Sequence, residues 1–307
     1  MKRLSFLLAL LLSLALLSAC RPEPPSPSGG IRFTDDTGVE VSLSSAPRRV
    51  AVLFSSYAEI WQTAGGMVAV TVGESVTRGL VSADTPLVDA GAGKTINTEL
   101  LLSLSPDLVI ASCDIPAQSR AASLLREAGV PTALFRVECF ADYLRVLDIF
   151  TRITGHREAY EQYGQAQAER IDTLLSSLPE EHPSVLFLRA GSTASATKSK
   201  RTDEHFAAAM LSELGAVNVA DGSPALSSGL SLEAVLLADP HAIFITTMGD
   251  EAAARAYMES LLATDAWQTL TAVREGRVYF LSKDLFQYKP NGRWADAYQA
   301  LWELLYV

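Results

Sequence analysis

The 307-residue chain has only three cysteines and four histidines. The histidines, His156, His182, His205 and His241, stand in unrelated segments without paired spacing, which argues against a clustered zinc centre. Three thiols cannot build a dense disulfide framework. Positive charge is also scarce: 25 Lys and Arg against 35 Asp and Glu give a formal charge of −10. A nucleic acid needs a basic stripe to neutralise its phosphates, so it is not an expected partner. Beyond the N-terminus no apolar run is long enough to cross a bilayer, so the chain is no permease. Signatures of catalysis are missing too. Gly91-Ala92-Gly93-Lys94-Thr95 lacks the earlier glycine of a phosphate loop, with Val88 in its place, and Ser223 to Ser231 contains no Gly-x-Ser-x-Gly elbow.

What is present is a globular composition, 49% hydrophobic and 20% charged, long enough for two domains of ordinary size. The first residues stand apart from it. Lys2 and Arg3 precede an apolar core, Leu4 to Leu17, too short for a comfortable span. Leu17-Ser18-Ala19-Cys20 then resembles the lipobox of bacterial lipoproteins. That resemblance implies a signal peptide over 1–19, cleavage before Cys20, acylation of its thiol and a membrane tether outside the cytoplasm. Losing Lys2 and Arg3 takes the formal charge from −10 to −12. Residues 20–30, with Pro22, Pro24, Pro25 and Pro27, read as a stiff spacer.

The folded part is organised around a pattern that occurs twice. Asn97 to Ile110 (NTELLLSLSPDLVI) and Ser231 to Phe244 (SLEAVLLADPHAIF) align without a gap at an offset of 134, that is 231 minus 97. Each copy opens with an N-cap oxygen, Asn97 or Ser231, and carries a glutamate two residues on, Glu99 or Glu233, where the positive helix end favours an anion. A proline corner, Ser105-Pro106 or Asp239-Pro240, ends each helix before an apolar strand. Two such units, far apart, imply two similarly built lobes.

Between them, Arg157 to Leu178 holds no proline and predicts a helix of about 33 Å, read as the single connector of the lobes. Gly164 weakens it by about 1 kcal/mol. Before it, in an N-terminal lobe of 31–155, a hairpin over Ile31 to Leu43 is followed by alternating strands and helices. After it, strand Val185 to Leu188, a loop Arg189 to Arg201, helices and strands, and a closing helix Arg293 to Tyr306 make a C-terminal lobe of 183–307. The fold class expected is α/β: two Rossmann-like lobes with mainly parallel sheets joined by one long α-helix.

With the two Glu-bearing repeats, Pro47-Arg48-Arg49-Val50-Ala51-Val52 and Leu270-Thr271-Ala272-Val273-Arg274-Glu275-Gly276-Arg277-Val278-Tyr279 complete a likeness covering nearly all of the mature chain. In this order the pieces resemble the substrate-binding lipoproteins of ABC importers for iron complexes (siderophores), haem and cobalamin. The resemblance implies a non-catalytic, monomeric chain that holds a metal complex between its lobes as cargo, with no cofactor of its own. It also implies that Glu99 and Glu233 meet arginines of a permease dimer. Taken alone, each glutamate needs no partner, since an acid in a first turn stabilises its own helix by about 0.3–1 kcal/mol.

Ligands of open parallel sheets bind beyond the carboxyl ends of the strands. The post-strand corners supply Ser55, Ser56, Tyr57, Cys113, Asp114, Arg189, Ser192, Thr193, Thr247, Met248, Lys283 and Asp284. Lys198-Ser199-Lys200-Arg201, with His205 and also Lys289 and Arg293, concentrates positive charge on an acidic protein, suiting an anionic metal complex, although a charge run is commonly plain solvated surface. Tyr57, Trp61, Phe286, Tyr288 and Trp294 are aromatics able to cover a flat ligand, or to fill a core. Cys113 and Cys139 both follow strands, and sequence leaves their pairing open. The rival classes are an enzyme or metal-cluster scaffold of the chelatase-like two-lobed type, and a tethered ligand sensor.

Overall fold

The computed structural model describes residues 30–89, 95–227 and 229–307. The expected signal peptide over 1–19, Cys20, the expected tether through residue 29, residues 90–94 and residue 228 lie outside the described residues.

The chain opens with an antiparallel hairpin, β1 (Ile31–Thr34) and β2 (Glu40–Leu43). Its turn is set by Asp35, whose carboxylate accepts from the Thr37 and Val39 amides at 2.9 and 3.1 Å and from the Thr37 hydroxyl at 2.7 Å. Gly38, at φ +81°, takes the left-handed position that the turn needs. The other Asp35 oxygen accepts from the Leu134 amide at 2.9 Å and from Arg126, stitching the hairpin to the first sheet.

That sheet contains β3 (Val50–Val52), β4 (Val68–Val70), β5 (Leu108–Ser112) and β6 (Thr132–Phe135) in the order β4-β3-β5-β6, all parallel. β3, β5 and β6 are buried along their whole length, because helices cover both faces. Those of this half are α1 (Ser55–Thr63), α2 (Gly73–Thr77), α3 (Thr98–Ser103), α4 (Pro116–Glu127) and α5 (Phe140–Thr154). Gly155 at φ +81° closes α5.

The connector begins as α6 (Arg157–Tyr160), widens into a π-helical turn over Glu161–Gln165 and continues as α7 (Ala166–Leu175). It stops three residues before the expected Leu178. A π-turn shifts the hydrogen-bond ladder by one residue, and here the Tyr143 hydroxyl donates to the Tyr163 carbonyl at 3.1 Å. Gly164 lies in this turn against α5, where a Cβ would meet Leu144 at 3.1 Å. The glycine that weakens the helix by propensity thus lets two helices approach closely.

The second half has β7 (Ser184–Ala190), β8 (Lys198–Ser199), α8 (Phe206–Glu213), β9 (Val217–Asn218), α9 (Pro224–Ser227), α10 (Leu232–Ala238), β10 (Ala242–Thr247), α11 (Glu251–Leu262), α12 (Asp265–Gln268), α13 (Thr271–Arg274), β11 (Val278–Phe280), α14 (Lys283–Phe286) and α15 (Trp294–Tyr306). β7 is central. β10 runs parallel along one side of it, with β11 beyond; its other side is shared by β9, parallel at Ser184 and Val185, and β8, antiparallel at Leu188 and Arg189. The expected loop from Arg189 to Arg201 is therefore partly strand: β7 runs on to Ala190, and Lys198 and Ser199 fold back to pair with it.

The two repeats fold alike. Asn97 accepts from the Leu100 amide at 3.0 Å and Ser231 from the Ala234 amide at 3.4 Å, capping α3 and α10. The residues before the prolines, Ser105 (φ +48°) and Asp239 (φ +35°), leave the right-handed region for the left-handed one. Beside each corner an acid pins another part of its lobe. Asp107 accepts from the Arg48 and Arg49 amides at 2.7 and 2.8 Å, and Asp239 accepts from the Thr271 amide and hydroxyl, both at 2.7 Å. The motifs at Pro47 and Leu270 are thereby tied to equivalent corners of the two halves.

One apolar core runs through both lobes. Trp61, Phe135 and Phe150 from the first join Phe187, Phe206, Phe244 and Trp294 from the second. Alternate residues of β7 serve it and a separate outer core: Val185 and Phe187 face inward, Leu186 and Leu188 outward.

Candidate functional site

The residues after the strand tips of the two sheets meet between the lobes. From the N-terminal lobe come Glu59 on α1, and Thr77, Arg78 and Leu80, which follow β4. From the C-terminal lobe come Glu251 at the start of α11, and Ser282, Lys283, Asp284, Tyr288 and Arg293 after β11. They enclose a cleft of about 640 Å³. A second cavity, of about 590 Å³, lies away from the strand tips between α7 and α15, beside Arg170 and Gln299.

The cleft wall is cross-linked from both sides. Arg78 donates to Glu59 at 2.6 Å and to Ser55 at 3.2 Å, and its guanidinium stacks over the Tyr288 ring at 4.2 Å. Ser55 donates in turn to Glu74 at 2.5 Å. Lys283 donates to the Gly249 carbonyl at 3.0 Å. Lining charges balance: Glu59, Glu251 and Asp284 against Arg78, Lys283 and Arg293.

Charge is less balanced around His205. This imidazole stacks on Phe206 and meets the tilted ring of Phe187, with ring centroids 4.8 and 4.7 Å away, and its Nδ1 accepts from the Ala207 amide at 3.2 Å as the cap of α8. Burial, with Lys289, Arg189 and Lys200 nearby, pushes its pKa down to about 3. Lys289 reaches across to the N-terminal lobe, 3.1 Å from Glu138, with its ammonium 4.6 Å from the Phe206 ring centroid. Burial lowers its pKa, opposed by Glu138.

The expected site residues thus separate. Lys283, Tyr288 and Arg293 line the cleft, while Arg189 and Lys200 flank His205. Ser55, Ser56 and Tyr57 do not form an exposed polar corner, because α1 begins at Ser55 and turns all three inward. Tyr57 is a core residue whose hydroxyl donates to the Phe135 carbonyl at 2.9 Å, and burial raises its pKa. Arg201 is held by Asp203 at 3.1 Å and by Glu204, so its charge is already matched within its own turn. Lys198 is exposed on β8. Thr247, at the tip of β10, is 3% exposed with its hydroxyl unpartnered. Trp61, Phe286 and Trp294 are buried in the shared core, not on a cleft wall. Cys113 and Cys139 are free thiols, both with pKa raised by burial. Cys139 caps α5.

Sequence reasoning missed Glu59, Arg78 and Glu251. A signal existed for Arg78, since Gly73 follows an apolar strand run in the sequence and the residues after a strand tip belong to the cleft. Glu59 and Glu251 lie on helices that start at strand tips, and only packing shows which helical face looks inward.

The model of the family described as periplasmic binding protein matches residues 50–285. The chain belongs to the periplasmic binding protein family. The Fe(3+)-citrate-binding protein YfmC of Bacillus subtilis is 24% identical to this periplasmic binding protein over 92% of the chain and 90% of the relative. The uncharacterized ABC transporter substrate-binding lipoprotein YvrC of the same organism is 23% identical over 92% and 91%. Among solved structures, a periplasmic binding protein from Veillonella parvula superposes with a TM-score of 0.74 at 16% identity, covering 93% of this chain and 94% of that one. The family is one of ABC-transporter substrate-binding proteins, not of enzymes, and its work is extracytoplasmic. No helix among the described residues is long and apolar enough to span a membrane.

Proposed function

We propose that this periplasmic binding protein captures an iron–siderophore complex in the cleft between its lobes and hands it unchanged to an ABC permease. The observation that carries the reading is the cleft of about 640 Å³ between the strand tips, lined from both lobes; a site of this size and place suits a small chelate. Charged and aromatic walls, with Arg78 stacked on Tyr288, suit a ligand with anionic groups and flat surfaces. The likeness to a ferric citrate binder supports iron over other metals. Glu99 and Glu233, both exposed in the first turns of α3 and α10, serve as the two permease contacts. Cys20 carries the lipid that keeps the protein at the membrane, and the protein works as a monomer.

The test is titration of the mature protein with ferric citrate, haemin and cyanocobalamin, followed by tryptophan fluorescence. The expected result is saturable binding of one iron complex per chain, recovered unaltered on release. Tighter binding of haemin or cyanocobalamin would reassign the cargo. Conversion of the complex, or no binding of any of the three, would overturn the reading.

A further inference from the structure

Arg78 stands at the cleft wall, yet it is engaged from both lobes. Within its own lobe one terminal nitrogen donates to Glu59 at 2.6 Å and the other to Ser55 at 3.2 Å. From the opposite lobe the Tyr288 ring lies against its guanidinium, with the centroid 4.2 Å away. The Glu59 oxygen that takes Arg78 also accepts from the Asn291 side-chain amide at 2.9 Å. One short stretch of the C-terminal lobe thus grips the ion pair at both ends, with Tyr288 on the cation and Asn291 on the carboxylate. Only 9% of the Arg78 side chain is exposed. The other cations of this wall are held differently: among the described residues Lys283 and Arg293 are each bonded only to a backbone carbonyl, of Gly249 and of Asp284. A guanidinium whose charge is matched and whose face is covered has little to offer an anion, which would have to displace Glu59. What it does supply is a seat for an aromatic ring. Tyr288 needs one, because it lies between α14 and α15 and its hydroxyl makes no hydrogen bond among the described residues.

We propose that Arg78 is a positioning residue: it holds the Tyr288 ring across the lobe boundary as a fixed wall of the cleft, against which a flat face of the ligand packs, and it takes no direct part in binding the ligand's anionic groups. This rests on the solute-binding reading and assigns the aromatic wall of that site. A ring ordered before the ligand arrives spares the entropy of fixing it on binding.

The experiment measures binding of ferric citrate, haemin and cyanocobalamin, whose corrin side chains are amides, to wild type, Arg78→Gln, Arg78→Lys, Tyr288→Leu and the double variant that combines Arg78→Gln with Tyr288→Leu. Fluorine NMR spectra of the ligand-free, fluorotyrosine-labelled proteins accompany it, with the Tyr288 signal assigned from Tyr288→Phe. Arg78→Gln is expected to weaken every probe that wild type binds by a similar factor, about fivefold. It is also expected to move or broaden the Tyr288 signal, and to add no further loss where Tyr288 is already leucine. Arg78→Lys keeps a cation for the ring and restores part of the affinity. A loss confined to ferric citrate and haemin overturns the proposal, because Arg78 would then be reading charge. So does a loss of the same size in the Tyr288→Leu background, which would make Arg78 structural, or a Tyr288 signal that Arg78→Gln leaves unchanged. In each of those cases wild type still binds, and the solute-binding reading stands. If wild type binds none of the three probes, that reading falls and this role falls with it.

Discussion

The Asn291 side-chain amide donates from one lobe to the other, to the Glu59 carboxylate at 2.9 Å and to the Ser56 carbonyl at 3.1 Å, from a left-handed backbone at φ +52°. Asn291 is fully buried. One residue of the C-terminal lobe is thus plugged into α1 of the N-terminal lobe, beside the cleft wall.

Asn291→Gly keeps access to the positive φ but loses both hydrogen bonds, one of them to a charged acceptor. A loss of about 2 kcal/mol is expected. Asn291→Ala adds backbone strain of about 1 kcal/mol or more. Urea denaturation of the two variants checks the order; an alanine variant as stable as the glycine one would show that the left-handed conformation carries no cost here.

Reversing Glu99 and Glu233 to Arg is expected to stop ligand import in cells while leaving affinity in solution intact. Neither glutamate lines the cleft, and each is exposed. Each helix loses only the acid of its first turn, worth about 0.3–1 kcal/mol. Uptake that proceeds at the wild-type rate with both charges reversed ends the docking role.

His205 makes stability depend on pH between 7 and 5. Its folded pKa, about 3, is below the unfolded value of 6.5. Below 6.5 the unfolded chain takes up a proton that the native chain refuses, so stability is full above that pH and falls as pH drops toward 3. The loss from pH 7 to pH 5 is about 2 kcal/mol. His205→Asn keeps a capping acceptor and removes the titration. Denaturation at both pH values should show this variant losing about 2 kcal/mol less than wild type; parallel losses would place the acid sensitivity elsewhere.

Asp35 acts in a lower window. Burial alone would raise its pKa, but the Leu134 amide, the Thr37 hydroxyl and the Val39 and Thr37 amides outweigh it and hold the carboxyl below its ordinary value. Its contribution is therefore present above about pH 3.9 and lost as pH falls below that. Asp35→Asn leaves Arg126 with the Thr132 carbonyl but without its carboxylate partner, and is expected to cost about 3 kcal/mol at pH 7. The difference from wild type should shrink at pH 3. A constant difference from pH 7 to pH 3 would mean that the carboxylate's charge is not what matters.

Local pattern determined much of this protein. The caps Asn97 and Ser231, the corners at Pro106 and Pro240 and the period of the apolar runs placed the helices and strands of both halves, because each depends on groups within a few residues of one another. Short elements such as α2 and α14 escaped, since a single turn carries little periodicity. So did β8, whose two residues are strand only because β7 lies beside them. The site was legible as a set of positions after strand tips, which brought Arg189 and Lys283 into view, and as aromatics able to cover a ligand, which brought in Tyr288. Which of those positions face the cleft was decided by packing. Tyr57 and Arg189 look equally available in sequence, yet the Tyr57 hydroxyl is drawn to the Phe135 carbonyl in the core while Arg189 stays half-exposed, its buried Nε without an acceptor. Glu59, Arg78 and Asn291 come from distant segments, and their network exists only because the two lobes share one core and close on each other.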